Sequence, residues 1–304
     1  MPAGVITTGT HPKALWPGVH DFWGQVYTAH AAEYNDLYEW EDSDMAYEED
    51  VQITGFGLAP VKPQGGSITY DSEVQGPVSR YSHLAYALGY IVTYEELKFN
   101  LYEKISMRRA QANAFAVSQT IETVSAVPYN NAYSTTYFTT GDGLALISTA
   151  HANTTGGTFS NELSPSADLS EAALEDLCIQ AMGLQDDRGN FISILPRSLH
   201  VPRQEWFNAN RILKSVMQPD VMNNNINVLK STNAFPEGIK MNHYFTNSSY
   251  WFVRTNCPRG MQAFWAERPN FAQDNDFDTK NAKAATYMMF SVGATDPRGI
   301  LGSQ

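Results

Sequence analysis

Between Val51 and Val92 the chain carries two runs rich in β-branched and aromatic residues, "VQITGFGL" and "SITYDSEVQGPVSRYSHLAYALGYIV". They predict two extended strands. "APVKPQGG", residues 59–66, lies between them, and its two prolines and two glycines mark a loop. This long excursion holds too few apolar residues to build a core, so it is expected to pack on something else. From Thr93 the apolar spacing changes to four: Leu97, Leu101 and Ile105, carried on by Ala112, Phe115 and Ala116, then Ile121 and Val124. That spacing puts one apolar stripe on a helix. "TYEE" at its start is a capping box, in which the Thr93 hydroxyl and the Glu96 side chain satisfy each other's backbone N–H groups. No Gly or Pro interrupts from Thr93 to Val127, and Pro128 is the expected stop. A helix over 93–127 would be roughly 50 Å long at ~1.5 Å per residue.

Further on, "LSEAALEDLCIQAMG" predicts a helix with Ser170 as N-cap and Leu174, Leu177, Cys178 and Ala181 as its buried stripe. "DDRGN" reads as a turn, and "FISILP" and "SLHVP" as short strands around Pro196. A third helix is expected over about 204–216, with Trp206, Ala209, Leu213 and Val216 on one face. "INVLKS", "IKMNHYF", "YWFVRT", "MQAFWAE" and "ATYMMFSVGA" then read as strands. The fold class is α+β, with one long helix, two shorter ones and mostly antiparallel strands. Residues 1–35 show only weak periodicity; Trp16, Phe22, Trp23, Tyr27 and Tyr34 give this arm adhesive points without a clear element. "EWEDSDMAYEED", 39–50, holds seven acids in twelve residues and reads as a solvated or repulsive face.

Composition narrows the function classes. Among the 304 residues aromatics reach 12% while charged residues fall to 17%, which suits packing against other chains as well as an aromatic core. The net charge of −12 argues against a basic groove for nucleic acid. Cys178 and Cys257 both lie in apolar stretches and read as buried free thiols. The N-terminus lacks the pattern of a secretory signal, and no apolar stretch approaches the ~20 residues of a membrane span.

No catalytic template fits. "STAHANTTGGTFSN", 148–161, holds serines, a histidine and two glycines, but no Lys follows the glycines as in a phosphate loop. Ser148 and Ser160 lack the flanking glycines of a nucleophile elbow, and His151 has no partner in the sequence. Asp274, Asp276 and Asp278 match positions 1, 3 and 5 of a calcium loop, yet Thr279 and Ala285 replace the required Gly and Glu. The seven histidines contain no H-x-x-x-H pair, and neither cysteine belongs to a C-x-x-C pair. No metal, cofactor or catalytic residue is expected, and no enzyme activity.

Read as a whole, residues 145–304 resemble the major capsid proteins of tailed phages, in the Mu-like major head subunit group. The resemblance rests on the T-x-H loop and Gly-rich turn of "TAHANTTGG", then "SNEL", "LSEAAL", "DDRG" and "PRSLHVP", with "NNNINVLKS", "YWFV" and the terminal "GATDPRGILGS". The segments before it fit by order and length. The resemblance implies the Hong Kong 97-type capsid fold: an N-terminal arm over 1–50, an extended loop over 51–88, and a peripheral domain from 89–161 and 263–295 with its spine helix at 93–127. The axial domain would comprise 162–262 and 296–304. It also implies a homo-oligomer of hexamers and pentamers, an icosahedral shell enclosing double-stranded DNA without sequence-specific binding, assembled in the host cytoplasm and resident in the virion. The chain lacks the helical scaffolding segment with which some relatives begin, so a separate scaffolding protein, or none, is expected; portal and decoration proteins are further partners. The opening loop then becomes a structural crossing between domains.

Candidate assembly residues follow. Lys62 is the only lysine between Asp50 and Thr93. Some relatives cross-link such a lysine to a neighbour's asparagine, but no base or dry pocket for that reaction is identifiable here, so no cross-link is expected. Glu95, Glu96, Arg108 and Arg109 decorate the long helix and offer either pairs within the chain or salt bridges to an adjacent subunit, for instance to the acidic run 39–50. Two other readings remain: an encapsulin-type nanocompartment of the same fold holding protein cargo, and a calcium- or glycan-binding surface module built on the Asp274–Asp278 cluster.

Overall fold

The computed structural model describes residues 16–98, 102–217, 225–276 and 280–304. Two four-stranded sheets organise them. The first has the order β1-β10-β11-β4, formed by Glu39–Asp42 (β1), Met261–Asn275 (β10), Ala282–Ala294 (β11) and Leu84–Val92 (β4). β1 runs parallel to β10, and the other two pairings are antiparallel. The register of β10 against β11 shifts on either side of Glu267. Pro269 explains one shift, since proline has no N–H to give the ladder.

The long helix α3 (Tyr102–Asn130) and α1 (Trp16–Ala29) cover this sheet. Trp23 of α1 stacks between Tyr27 and Phe271, with ring centroids at 5.2 and 5.4 Å, and its indole N–H donates to Asn113 Oδ1 of α3 at 3.0 Å. Asn113 is buried and donates in turn to Leu88 O of β4 at 2.9 Å, so arm, helix and sheet share one polar lynchpin. A buried aromatic whose N–H is also satisfied is a strong anchor.

The second sheet has the order β12-β9-β7-β8: Ile300–Ser303 (β12), Trp251–Thr255 (β9), Pro196–Pro202 (β7) and Ile239–Asn242 (β8). The helices α4 (Glu171–Met182) and α5 (Trp206–Lys214) bury Leu174, Leu177, Ala209 and Ile212 against Leu199, Trp251 and Leu301. Ser170 caps α4 by accepting from Ala173 N, as its position predicts. A second core joins the sheets: Tyr129 near the end of α3 packs among Tyr38, Phe245 and Phe252, and its hydroxyl donates to Leu37 O at 2.8 Å.

Several elements differ from expectation. The arm is not featureless: Trp16–Ala29 is a helix, and its pattern was obscured because its aromatics pack on α3 and β10. The long helix expected over 93–127 is Tyr102–Asn130, preceded by a short helix α2 (Tyr94–Lys98), and Leu101 lies outside the described residues. Pro128 does not stop it. The buried Tyr129 holds the last turn in place, and tertiary packing outweighs the missing hydrogen bond. The third helix is shorter than 204–216, and Val216 is exposed. "INVLKS" is not a strand. Asn227 accepts from Lys230 N at 3.1 Å and starts a helical turn, α6 (Val228–Ser231), while its amide donates to Ile212 O. The acidic run is solvated as expected, with Glu39, Glu41, Asp42, Asp44 and Glu49 exposed, but it also forms β1 and the start of a second strand, β2 (Tyr47–Ile53), and Asp42 pairs with Arg268 and Glu39 with Arg197.

Candidate assembly surface

Between β1 and β4 the chain leaves the first sheet as a two-stranded ribbon, β2 (Tyr47–Ile53) antiparallel to β3 (Gln75–Ser82). Its root is pinned by His83, the single residue between β3 and β4. The His83 ring meets Ser291 Oγ at 3.0 Å and Ser43 Oγ at 3.2 Å, and Ser43 donates to Glu48. Burial holds the His83 imidazole below its ordinary pKa. Tyr81 OH and Thr295 Oγ1 lie 2.6 Å apart, and Arg259 pairs with Asp50 at 2.8 Å. The ribbon therefore rests on the end of β11 and on the turn before β10.

Beyond Ile53 the ribbon opens into the segment 54–74, without regular structure. Leu58, Val61 and Tyr70 are 83%, 95% and 90% exposed, with Phe56 and Ile68 beside them. Lys62 is exposed in the same segment. So contiguous an apolar projection on a thin stem is unusual for a surface that faces only water. At its base Asp71 accepts from Gly57 N at 2.8 Å and pairs with Arg188 at 2.9 Å. The Gly57 and Ser72 N–H groups, then Arg188, hold the Asp71 carboxyl below the usual range.

On the helical face the capping box forms as its residues predict: Thr93 N donates to Glu96 Oε2 at 3.3 Å, and Glu96 N to Thr93 Oγ1 at 3.4 Å. Arg109 then grips Glu96 with both terminal nitrogens at 2.9 Å and reaches Ile91 O at 3.2 Å. This fork holds the Glu96 carboxyl below its ordinary range. Two of the four helix candidates are thus joined within the chain, tying α2 to α3 and the end of β4. Arg108 and Glu95 are exposed and make no ion pair with another described residue.

The crossing 148–161, whose short strands β5 (His151–Ala152) and β6 (Thr158–Phe159) pair with each other, is held by two residues that sequence patterning did not single out. Asn161 is fully buried: its amide donates to Leu146 O at 2.8 Å and to Pro297 O and Ile300 O at 3.1 Å, while its oxygen accepts from Ser148 N at 2.8 Å. Arg298, 2% exposed, donates to Asn153 Oδ1 at 2.7 Å, to Asp187 Oδ1 at 2.9 Å and to Gln185 O at 3.0 Å, with its guanidinium 4.2 Å from the Phe159 ring centroid. His151 has a partner after all. Its Nδ1 lies 2.7 Å from Asp142 Oδ2, and its ring stacks on Phe159. Burial opposes ionisation of Asp142, but hydrogen bonds from His151, Thr140 and Leu144 N outweigh it and bring the carboxyl down to about 2. The other His151 nitrogen is buried without a partner, and the Thr140 hydroxyl donates to Asp142. The group is a tie between chain segments.

The calcium candidate does not assemble in what is described. Asp276 pairs with Lys283 at 2.8 Å, and Asp278 lies outside the described residues. Among the described residues no group of three or more His, Cys, Asp or Glu stands together as a metal site. Cys178 and Cys257 are buried free thiols, and burial pushes Cys178 up to about 12. No described helix is long and apolar enough to cross a membrane. Near α4 and α6 an open groove of about 820 Å³ exposes Ile179, Met182, Leu195 and Val228.

Two sheets, a long helix lying across one of them, and an exposed apolar projection on a two-stranded stem make up the fold. The family model for phage capsid proteins matches residues 78–302, and the chain belongs to that family. It has the Hong Kong 97-type fold. The structure is similar to the capsid of Myoviridae phage XM1 (TM-score 0.56, 12% identity, covering 90% of this chain and 91% of that one). It is similar also to the mature capsid of bacteriophage PhiM1 (0.55, 10%, 90% and 86%) and to a virus-like particle from Pyrococcus furiosus (0.55, 10%, 95% and 98%). No curated protein sequence matches the chain.

Proposed function

We propose that this capsid protein is the major head subunit of a tailed phage, assembling as hexamers and pentamers into an icosahedral shell around double-stranded DNA. The observation that carries the reading is the ribbon: Leu58, Val61 and Tyr70 project from it into solvent, and a neighbouring copy in a symmetric shell would give them something to bury against. In this reading residues 1–50 are the arm and 51–88 the loop that reaches the neighbour, with Lys62 in the part that touches it. Residues 89–161 and 263–295 are the peripheral domain, and 162–262 and 296–304 the axial domain. Arg108 and Glu95 face the adjacent subunit, while Glu96 and Arg109 brace that face from within. The "SNEL" and "DDRG" motifs support placement in the Mu-like group. A portal and decoration proteins, with or without a separate scaffolding protein, complete the head, which is built in the host cytoplasm.

Negative-stain microscopy of the purified full-length chain tests this. Closed particles of uniform diameter are expected, and only irregular aggregates or monomers would refute it. The likeness to the virus-like particle from Pyrococcus furiosus favours a second reading, a nanocompartment around protein cargo. Particles from the native source separate the two: nuclease-protected DNA supports the head, a stoichiometric enclosed protein the compartment.

A further inference from the structure

The turn that follows α4 makes contacts that a simple connection does not need. In "DDRGN", Asp186 Oδ1 accepts from Arg188 N and Asn190 N, both at 2.8 Å, its Oδ2 accepts from the Asn190 amide at 2.9 Å, and Asp186 N donates to Asn190 O. Gly189 takes φ +80°, a conformation that glycine adopts without strain. Behind this turn stands the buried Arg298, bonded to Gln185 O and Asp187. The turn is therefore rigid and anchored to the C-terminal segment. Arg188 gives the turn its backbone N–H, but its side chain, only 20% exposed, makes no hydrogen bond within the turn.

Arg188 points its fork at the ribbon. Nη1 meets Asp71 Oδ2 at 2.9 Å and Nη2 meets Ser72 O at 2.5 Å. The same Asp71 oxygen accepts from Gly57 N, on the opposite leg of the 54–74 segment. The arginine thus grips one leg directly, and Asp71 passes the hold to the other where the projection begins. The next turn supports it: Thr155 donates to Asp187 O, and a Cβ at Gly76 would fall 2.7 Å from Thr154 Oγ1, so β3 lies against the Gly-rich turn.

We propose that Arg188 is a positioning residue for assembly, a clasp by which the body of the subunit aims the 54–74 projection before a neighbour binds it. This rests on the shell reading above. Exposed ion pairs alone contribute little. A guanidinium fork held by a preformed turn is different, because most of its ordering cost is already met in folding. A projection aimed in advance loses less conformational freedom on docking, which favours association.

The test uses the full-length chain kept below the concentration at which light scattering reports particles, with spin labels at Ala59→Cys and Arg211→Cys. The native thiols are buried, and labelling of the unsubstituted chain checks that they stay silent. The expected result is one narrow distance in the parent, widening about twofold or more in Arg188→Ala because a released segment samples many positions. Arg188→Lys, which keeps the charge and loses the fork, should fall between. Asp71→Asn, on the exposed segment, should widen the distribution too without touching the turn, which covers the case of a misfolded Arg188→Ala. Particle yield should drop with Arg188→Ala and recover partly with Arg188→Lys. An unchanged distance distribution in both Arg188→Ala and Asp71→Asn overturns the clasp, and normal particles from a widened variant overturn its role in assembly. A parent chain that forms no particles would instead sink the shell reading, leaving the distance result to stand by itself.

Discussion

The backbone N–H of Glu33 donates to Glu122 Oε1 at 2.7 Å, so a buried carboxylate of the long helix receives the arm just before β1. The other Glu122 oxygen is buried without a partner. Glu33 and Asp36 lie close by, though His243 and Lys240 hold them.

Burial raises the Glu122 pKa from 4.5 to about 7, against the Glu33 and Tyr34 N–H bonds that lower it. The folded protein therefore binds a proton that the unfolded chain releases. Stability is greatest below about pH 4.5 for this group, falls as pH rises to about 7, and is flat above. The loss should be on the order of 2 kcal/mol, less than the full shift implies because solvent reaches part of the site. Glu122→Gln keeps an acceptor for Glu33 N and removes the charge. Thermal melts at pH 5 and pH 8 should differ less in this variant than in the parent, with its gain at pH 8; an identical pH slope in both would rule Glu122 out.

Arg298→Ala should be among the most destabilising single changes. It leaves Asp187 buried without its partner and strips Gln185 O and Asn153 of a donor. Breaking a buried pair on one side costs about 3–5 kcal/mol. Urea unfolding should show the loss as a lower midpoint. A midpoint within error of the parent would mean that Asn161 and the His151–Asp142 pair hold the crossing 148–161 without Arg298.

Residues 55–70 should exchange their amide hydrogens fast in the unassembled chain, since Gly57 N to Asp71 and Gly66 N to Pro63 O are the hydrogen bonds their described amides make. The paired strands β2 and β3 should be protected already. On assembly the 55–70 segment should slow. Equal exchange in subunit and particle would count against docking on a neighbour.

Arg108→Glu should give soluble, folded subunits that assemble poorly, since Arg108 is exposed and makes no ion pair with another described residue. Each such contact is worth only about 0–1 kcal/mol, but a symmetric shell repeats it. Adding Arg109→Glu should lower the yield further and also loosen α2, because Arg109 holds Glu96. Normal particle counts from Arg108→Glu by sedimentation would remove this face from the interface.

Empty shells or capsomers should bind duplex DNA negligibly at ~0.1 M salt. A chain at net charge −12, repeated over many copies, repels phosphates within the Debye length of about 8–10 Å instead of releasing their counterions. Micromolar binding with a steep salt slope in a mobility-shift assay would reveal a basic inner patch.

Local signals carried much of this protein. The capping box at Thr93 and Glu96, the Ser170 cap and the Leu174–Leu177 stripe each depend on neighbours within four residues, and each forms as its spacing predicts. The prolines and glycines of 59–66 likewise lie in a segment without regular structure. The likeness of 145–304 to phage capsid proteins is legible because its motifs are local too, and the match to the phage capsid family, at that coarser level, spans most of the region.

What only the tertiary structure decided is where those pieces meet. Trp23 makes a helix of a weakly periodic arm by stacking on Phe271, 248 positions away in the chain (271 − 23). Pro128 stays helical because Tyr129 is buried among residues from three other segments. The roles of Asn161, Glu122, Arg188 and Arg298 depend wholly on distant partners: Ile300, Glu33, Asp71 and Asp187. A polar side chain pays for burial only when its partners arrive, and that condition depends on how the chain closes in space, which no spacing along the sequence encodes.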